Sequence, residues 1–313
     1  MSNLHKKRYI KILFISFICI FILLALTASL LTTRDRSIFL SKANKISFEG
    51  VERSYVISEP KKTDVNTKMI FAFHGLGSNG KQMAYVSGLH NSADKNTIIV
   101  YPEALKSSNP TIRPGWNAGF CCGSGWRENN NDIGFIKELV TQLSKKYSLD
   151  ASNIYAAGFS NGAMFVQKIA EQEPALFAGY ASIAGSIGTK ENSLKPTQAV
   201  NILQIHGLND KIVPFYGGVG SADTSFIWES FEETVNIWEN VNACTENDKN
   251  IDQSLNKEKV KKTAEYEHTD CQKKLKIIVN KDDGHKWPDW RLFNIWNRET
   301  TGSAEVIDFF NSL

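Results

Sequence analysis

Apolar residues along the chain follow two patterns, one typical of buried strands and one of amphipathic helices. Short runs of consecutive apolar residues indicate strands covered on both faces of a sheet. These runs are KMIFAFHG (68–75), TIIVYPE (97–103), NIYAAGFS (153–160), AGYASIAGS (178–186), AVNILQIHG (199–207) and LKIIVN (275–280). Helical patterns lie between or after them, at 131–147, 162–174, 225–242 and 302–313. This alternation predicts an α/β fold, with a mostly parallel sheet and helices on both faces.

Two segments depart from this alternation. The sequence ISFEGVERSYVISEP (46–60) contains two short alternating runs and predicts an antiparallel hairpin. Residues 245–265 are rich in Lys, Glu, Asn and Asp, and predict a solvated excursion that leads into a short strand within VKKTAEYEH (260–268). Because no linker or repeat interrupts the remainder, we predict one domain over residues 45–313.

The N-terminus carries a separate signal. Residues 12–33 contain no charged side chain, and four basic residues precede them. Such a run indicates either an uncleaved signal anchor or a cleaved signal peptide, and the two alternatives stay open. The basic flank predicts a cytoplasmic tail over 1–11, a linker over 34–44 and export of the following domain to a periplasmic or extracellular location. A retained anchor would bring the N-terminus into contact with the membrane.

Charge and motif content narrow the candidate chemistry. The 36 basic and 33 acidic residues give a net charge of +3, without a basic run outside the N-terminus, so we expect no nucleic-acid partner. The loop HGLGSNG lacks the glycine and lysine spacing of a phosphate loop, and the metal motif H-E-x-x-H is absent. We therefore expect neither a metal ion nor an organic cofactor.

Ser160 lies at the centre of GFSNG, a match to G-x-S-x-G. The five letters alone are a weak signal, since many strand–helix turns contain serine. Here an apolar strand pattern precedes the serine and a helical pattern follows at once, which is the context of a nucleophile elbow. The sequence therefore predicts that Ser160 is a nucleophile.

A serine nucleophile needs a histidine base and an orienting carboxylate. His285 follows the last long strand, in the loop DDGHKWPDW, and is the predicted base. Asp210 follows the strand NILQIHG and lies between Ser160 and His285 along the chain. Nucleophile, acid and histidine follow in this order in folds that carry a nucleophile elbow. It is favoured over the competing aspartates, which are Asp223, Asp282, Asp283 and Asp289.

Two backbone amides must bind the oxyanion. We predict the N–H of Asn161, which follows the nucleophile, and that of Leu76 in the glycine-rich loop FAFHGLGSNG. His74 in the same loop is interpreted as a structural residue.

Together these segments resemble the α/β-hydrolase esterases of the polyhydroxybutyrate depolymerase-like group, which includes feruloyl and acetyl-xylan esterases. The resemblance covers about residues 45–313 and rests on six segments in order. They are FHGLGSN, GWNAGFCCGSGW, NDIGFIKELV, IYAAGFSNGAMF, ILQIHGLNDKIVPF and DDGHKWP. It implies a serine carboxylesterase with Ser160, Asp210 and His285 as its catalytic triad.

The resemblance also supports a disulfide between Cys244 and Cys271. Cys121 and Cys122 are then either joined to each other or free. Where the family often has two aspartates this chain has Asn131-Asp132, and Asp132 is expected to cap the following helix.

Substrate contacts are predicted from the unusual segment GWNAGFCCGSGW (115–126), which lies beside the active site in the family. Trp116, Asn117, Trp126 and Trp287 are candidates for an aromatic wall, or alternatively serve as core and loop anchors. We expect small or oligomeric ester substrates. The competing hypotheses are a non-catalytic surface protein that binds a ligand on the same fold, and a peptidase or acyltransferase that uses the same triad.

Overall fold

The structure is a computed structural model that describes residues 38, 41–221, 223–245, 263–268, 270–288 and 302–313. Within these ranges, nine strands form one sheet in the order β1-β2-β4-β3-β5-β6-β7-β11-β10. The strands are β1 (Asn44–Phe48), β2 (Val51–Ser58), β3 (Lys68–Phe73), β4 (Thr97–Pro102), β5 (Ile154–Phe159), β6 (Gly179–Ile183), β7 (Ile202–Gly207), β10 (Thr263–His268) and β11 (Leu275–Asn280). A separate hairpin consists of β8 (Gly218–Val219) and β9 (Ile227–Trp228).

The six central strands, from β4 to β11 in the sheet order, are mutually parallel. The predicted hairpin over 46–60 is confirmed, because β1 and β2 pair antiparallel. β2 continues antiparallel onto β4, and β10 closes the opposite edge antiparallel to β11. The mostly parallel sheet predicted from the apolar runs is therefore confirmed.

Helices cover both faces of this sheet. They are α1 (Gly80–Ser87), α2 (Leu89–Ser92), α3 (Gly123–Arg127), α4 (Asp132–Tyr147), α5 (Asn161–Gln172), α6 (Phe231–Val241) and α7 (Gly302–Asn311). The apolar sides of α4, α5 and α6 pack on one face, and those of α1, α2 and α7 pack on the other. Strand β4 shows why its sequence is apolar throughout, since Ile98 and Val100 enter one core and Ile99 and Tyr101 the other.

The predicted helix over 225–242 is shorter than its pattern suggested. Ile227 and Trp228 belong to β9, and the helix begins only at Phe231. The reason is a local cap, in which the Ser230 side chain accepts a hydrogen bond of 3.0 Å from the backbone N–H of Glu233.

No helix within the described ranges is long and apolar enough to cross a bilayer. The predicted anchor or signal peptide at 12–33 lies outside these ranges, as do residues 246–262 of the predicted excursion and Asp289. The Sγ atoms of Cys244 and Cys271 lie within bonding distance of each other. The Sγ atoms of the adjacent Cys121 and Cys122 are also within bonding distance.

Candidate active site

Ser160 occupies a tight turn between β5 and α5. Its backbone has φ 56° and ψ −122°, a conformation that L-residues rarely adopt. Neighbouring glycines make the turn feasible, because a side chain at Gly158 would collide with the backbone of Gly162, and one at Gly162 with the backbone of Phe73. The strained turn projects the serine hydroxyl above the carboxyl ends of the parallel strands, at the start of a helix.

The three side chains predicted as a triad form one hydrogen-bonded line. The Ser160 hydroxyl donates to His285 Nε2 over 2.8 Å, and His285 Nδ1 donates to Asp210 Oδ2 over 2.7 Å. The carboxylate thereby fixes the tautomer of the imidazole, leaving Nε2 free to accept the serine proton. Asp210 and His285 sit on loops that follow β7 and β11, and these loops are joined because Asn209 N donates to Asp283 O over 2.9 Å.

Asp210 is held as an anion by its surroundings. Burial would raise the pKa of its carboxyl, but the adjacent imidazoles of His206 and His285 hold that pKa well below its usual value. Its Oδ1 also accepts from the backbone N–H groups of Ile212 and Val213, at 2.8 and 3.0 Å. A charged, fully bonded carboxylate at this position can stabilise a protonated His285.

His206 is a site residue to which the sequence assigned no role. Its Nε2 donates to Val213 O over 3.0 Å and lies 3.3 Å from Asp210 Oδ2, with the ring buried in the core. The sequence signal was its position four residues before Asp210, because His206 lies at the end of β7 and Asp210 in the loop that follows it. His206 therefore lies against Oδ2 of Asp210, the same carboxylate oxygen that accepts from His285.

Leu76 and Asn161 line the cleft beside Ser160, and neither backbone N–H donates a hydrogen bond to another described residue. A Cβ at position 75 would lie 3.3 Å from the Cβ of Ser160, a close contact that glycine avoids. The two amides therefore remain available to an oxyanion. The assignment of an oxyanion hole to them stays a prediction.

His74 holds the loop that contains Leu76. Its Nδ1 donates to Gly75 O over 2.8 Å, and its Nε2 accepts from Ala104 N over 3.1 Å. Burial lowers the pKa of His74 to about 4, in spite of its hydrogen bond to Gly75 and the charge of Glu103. These contacts agree with its interpretation as a structural residue.

The neutral state of His74 predicts a loss of stability in acid. Between pH 6.5, its ordinary pKa, and about 4, the unfolded chain binds a proton here that the folded chain does not. The free energy of unfolding should therefore fall as pH falls through this window, by about 3 kcal/mol at pH 4. Urea unfolding of wild type and His74→Gln at several pH values tests this, and we expect a flatter acid limb in the variant. Identical slopes would contradict it.

The four predicted substrate contacts are divided between the core and the cleft. Trp116 is 0% exposed, stacks on Phe165 with ring centroids 5.1 Å apart, and donates from Nε1 to His74 O. Trp287 is also 0% exposed and donates to Ser303 Oγ over 2.9 Å. Asn117 is buried and bonds to Asn129 and Asn130. Because these three are anchors inside the protein, they do not reach a substrate, and the predicted aromatic wall reduces to Trp126.

Asp132 also differs from its predicted role. The helix cap is Asn131, whose side chain accepts from Gly134 N over 3.0 Å. Asp132 instead forms a buried ion pair of 2.8 Å with Arg53 and accepts from Asn117 N over 2.9 Å. A carboxylate needed to satisfy these buried donors cannot also cap the helix.

The cleft above Ser160 has two lobes. The apolar lobe, of about 250 Å³, adjoins Ser160 and His285 and is lined mainly by Met83, Val86, Phe159, Met164, Val213 and Trp228. The polar lobe, of about 410 Å³, is lined by Asn109, Thr111, Arg113, Trp126, Arg127 and Asp223. The two lobes are adjacent, because they share the lining residues Leu76, Arg113, Cys122, Asp223 and Phe226.

One group of side chains in the described residues has metal-ligand spacing. The ligand atoms of Cys244, His268 and Cys271 all lie within 4.8 Å of one another. The two sulfur atoms are at bonding distance and cannot act as separate ligands in this arrangement.

Comparison with known proteins identifies the family of this chain. Residues 53–242 match the profile of the phospholipase/carboxylesterase family, over more than half of the chain. The chain belongs to this family. It is 30% identical over 178 residues to NocK of Nocardia uniformis subsp. tsuyamanensis, a protein named as an esterase, covering 56% of this chain and 50% of NocK. It is 27% identical over 180 residues to feruloyl esterase C of Emericella nidulans, covering 55% of this chain and 60% of that enzyme.

The matched segments thus span about half to three fifths of these relatives. Acetyl xylan esterase from Aspergillus awamori shares the fold, with a TM-score of 0.53 at 15% identity, over 87% of this chain and 99% of the other. The expected assignment to an esterase family with the α/β-hydrolase fold is confirmed.

Proposed function

We propose that this protein is an exported serine carboxylesterase, with its catalytic domain over residues 45–313. Ser160 is the nucleophile, His285 the general base and Asp210 the carboxylate that orients it. The observation that carries the proposal is the hydrogen-bonded line from Ser160 Oγ through His285 to Asp210, at 2.8 and 2.7 Å. Family membership supports the choice of carboxylic esters as substrates.

The reaction follows from this geometry in two acyl transfers. Ser160 Oγ attacks the ester carbonyl as its proton moves to His285 Nε2, and Asp210 stabilises the resulting imidazolium. The N–H groups of Leu76 and Asn161 bind the oxyanion. The tetrahedral intermediate expels the alcohol, which takes the proton from His285. Water then attacks the acyl-enzyme by the same route and releases the acid and Ser160.

The size and lining of the apolar lobe support small or oligomeric esters. Its volume of about 250 Å³ suits a short acyl chain or a single aromatic ring. Acetyl and hydroxycinnamoyl esters are therefore the first substrates to test, in line with the names of the relatives.

Hydrolysis and labelling together test the proposed function. We expect residues 40–313 to hydrolyse 4-nitrophenyl acetate and butyrate, and a fluorophosphonate to inactivate the enzyme stoichiometrically by modifying Ser160, located by peptide mass. A matching panel of 4-nitroanilides tests peptidase activity and should give much slower turnover. The absence of both hydrolysis and labelling would contradict the proposal and favour a non-catalytic binding protein.

Export is the second part of the proposal, and Cys244 and Cys271 support it. Their sulfur atoms lie at bonding distance, and disulfides persist in oxidising compartments outside the cytoplasm. The basic and apolar N-terminal segment supports the same location.

A disulfide between Cys244 and Cys271 should stabilise the domain. The two residues are 27 positions apart, and closing a loop of that length contributes about 3.5 kcal/mol in the chain-entropy model. We expect the variant Cys244→Ser/Cys271→Ser to unfold at a lower temperature than wild type. Adding reductant should then lower the Tm of wild type by more than that of the variant, in which Cys121 and Cys122 alone can respond. Equal shifts would contradict this disulfide.

A further inference from the structure

The polar lobe carries a charge pattern that the ester reaction itself does not need. Two guanidinium groups, those of Arg113 and Arg127, and one carboxylate, that of Asp223, line it, which leaves one net positive charge. Neither guanidinium forms a hydrogen bond or ion pair with a residue in the described part of the chain. Arg127 instead lies over the ring of Trp126, with its Cζ 5.8 Å from the centroid.

The carboxylate of Asp223 is already engaged within its own loop. Its Oδ1 accepts hydrogen bonds from the backbone N–H and the hydroxyl of Ser225. These bonds, and more weakly the charges of Arg127 and Arg113, lower the pKa of Asp223, so it is an anion at neutral pH. The guanidinium donors of the two arginines therefore remain available for a further acceptor.

Arg113 is placed to act on a molecule that also reaches Ser160. It lines both lobes of the cleft, and its side chain packs on the loop that carries Leu76, since a Cβ at Gly77 would lie 3.2 Å from Arg113 Cδ. The next residue, Pro114, accepts a hydrogen bond of 2.7 Å from Gly77 N. This contact ties the segment that carries Arg113 to the oxyanion loop.

We propose that the substrates are esters that carry a carboxylate, and that Arg113 and Arg127 bind this carboxylate in the polar lobe while the ester bond lies at Ser160. This inference rests on the proposed esterase function. Arginine suits the task, because its planar donors match the two oxygens of a carboxylate. The apolar lobe then takes the uncharged part of the molecule.

Two matched substrate pairs test the inference and identify which side of the ester bears the anion. On the acyl side, mono-4-nitrophenyl glutarate is compared with 4-nitrophenyl butyrate. On the alcohol side, 4-acetoxybenzoate is compared with methyl 4-acetoxybenzoate. The quantity compared is the ratio of kcat/KM for the anionic ester to kcat/KM for the neutral ester. For one of the two pairs, we expect Arg113→Gln and Arg127→Gln each to lower this ratio by about tenfold. Asp223→Asn should raise the same ratio, because it removes a like charge.

Lys137→Gln is the control, since Lys137 pairs with Glu173 and lies outside the lining of either lobe. It should leave both ratios unchanged. Suppose that neutral esters are still hydrolysed. The inference is then overturned if the anionic-to-neutral ratio of kcat/KM stays constant in the arginine variants, or if it falls equally in the control. If wild type hydrolyses no ester of either pair, the proposed function itself falls, and the inference with it.

Discussion

Ser160→Ala should abolish ester hydrolysis while leaving the fold intact. The hydroxyl is the atom that donates to His285 Nε2, and the described residues offer no second hydroxyl in that position. In serine hydrolases, loss of the nucleophile lowers kcat by about 10⁴-fold or more, with a residual rate from the oxyanion hole and substrate binding. We expect a loss of that size with 4-nitrophenyl acetate and butyrate.

The fold should tolerate the change, because alanine replaces serine at the same positive φ and only the hydroxyl is lost. A melting temperature close to that of wild type would exclude unfolding as the cause. Ser152→Ala is a matched control, since Ser152 is exposed just before the opposite end of β5. It should keep wild-type activity. A Ser160→Ala protein that retains more than about one tenth of the activity would exclude Ser160 as the nucleophile.

The sequence predicted the positions that are set by chain order and strand ends. Ser160, Asp210 and His285 each follow a buried apolar strand, and parallel strands bring their carboxyl ends to one edge of the sheet. Their location at the same edge of the sheet therefore follows from topology. The glycine pattern around Ser160 was equally informative, because it reflects close backbone approach within the turn.

Residue type alone could not predict which aromatic side chains face the cleft. Trp116 and Trp126 lie in the same glycine-rich segment, yet only Trp126 lines a cavity, whereas Trp116 stacks on Phe165 in the core. The difference depends on how residues 115–126 fold back across α5. A hydrogen bond of 2.7 Å from the backbone N–H of Trp116 to the side-chain Oδ1 of Asn161 fixes that path, and it joins positions 45 residues apart. No local pattern encodes such a contact.

The buried pair of Arg53 and Asp132 was missed for a similar reason. Arg53 lies in the exposed-looking pattern of β2 and Asp132 at a predicted helix start, so each had an ordinary local explanation. Their side chains are 3% and 0% exposed and meet at 2.8 Å, with the guanidinium 4.0 Å above the ring centroid of Phe135. Tertiary packing of the hairpin against α4 creates this pair.

Arg53→Met should destabilise the domain strongly. Burial raises the pKa of the Asp132 carboxyl, and Arg53 opposes that rise, so Arg53→Met leaves a buried carboxylate without its ion-pair partner. Removing one partner of a buried ion pair lowers the free energy of unfolding by about 3–5 kcal/mol. Asp132 also accepts from Asn117 N, next to Trp116, whose backbone bonds to Asn161. We therefore expect a loss of kcat in addition to the loss of stability.

Two further variants separate the ion pair from a general effect of charge on the hairpin. Arg53→Met/Asp132→Asn removes both charges and keeps an acceptor for Asn117 N, so it should be more stable than Arg53→Met alone. Lys45→Met breaks the exposed pair with Glu52 on the same hairpin, where the side chains are 65% and 64% exposed, and should cost no more than about 0.5 kcal/mol. Urea unfolding at pH 7 measures all three. If Arg53→Met and Lys45→Met lower the free energy of unfolding equally, the pair of Arg53 and Asp132 does not hold the segment around Asn117. A buried charge that has lost its partner should destabilise the domain more than an exposed one.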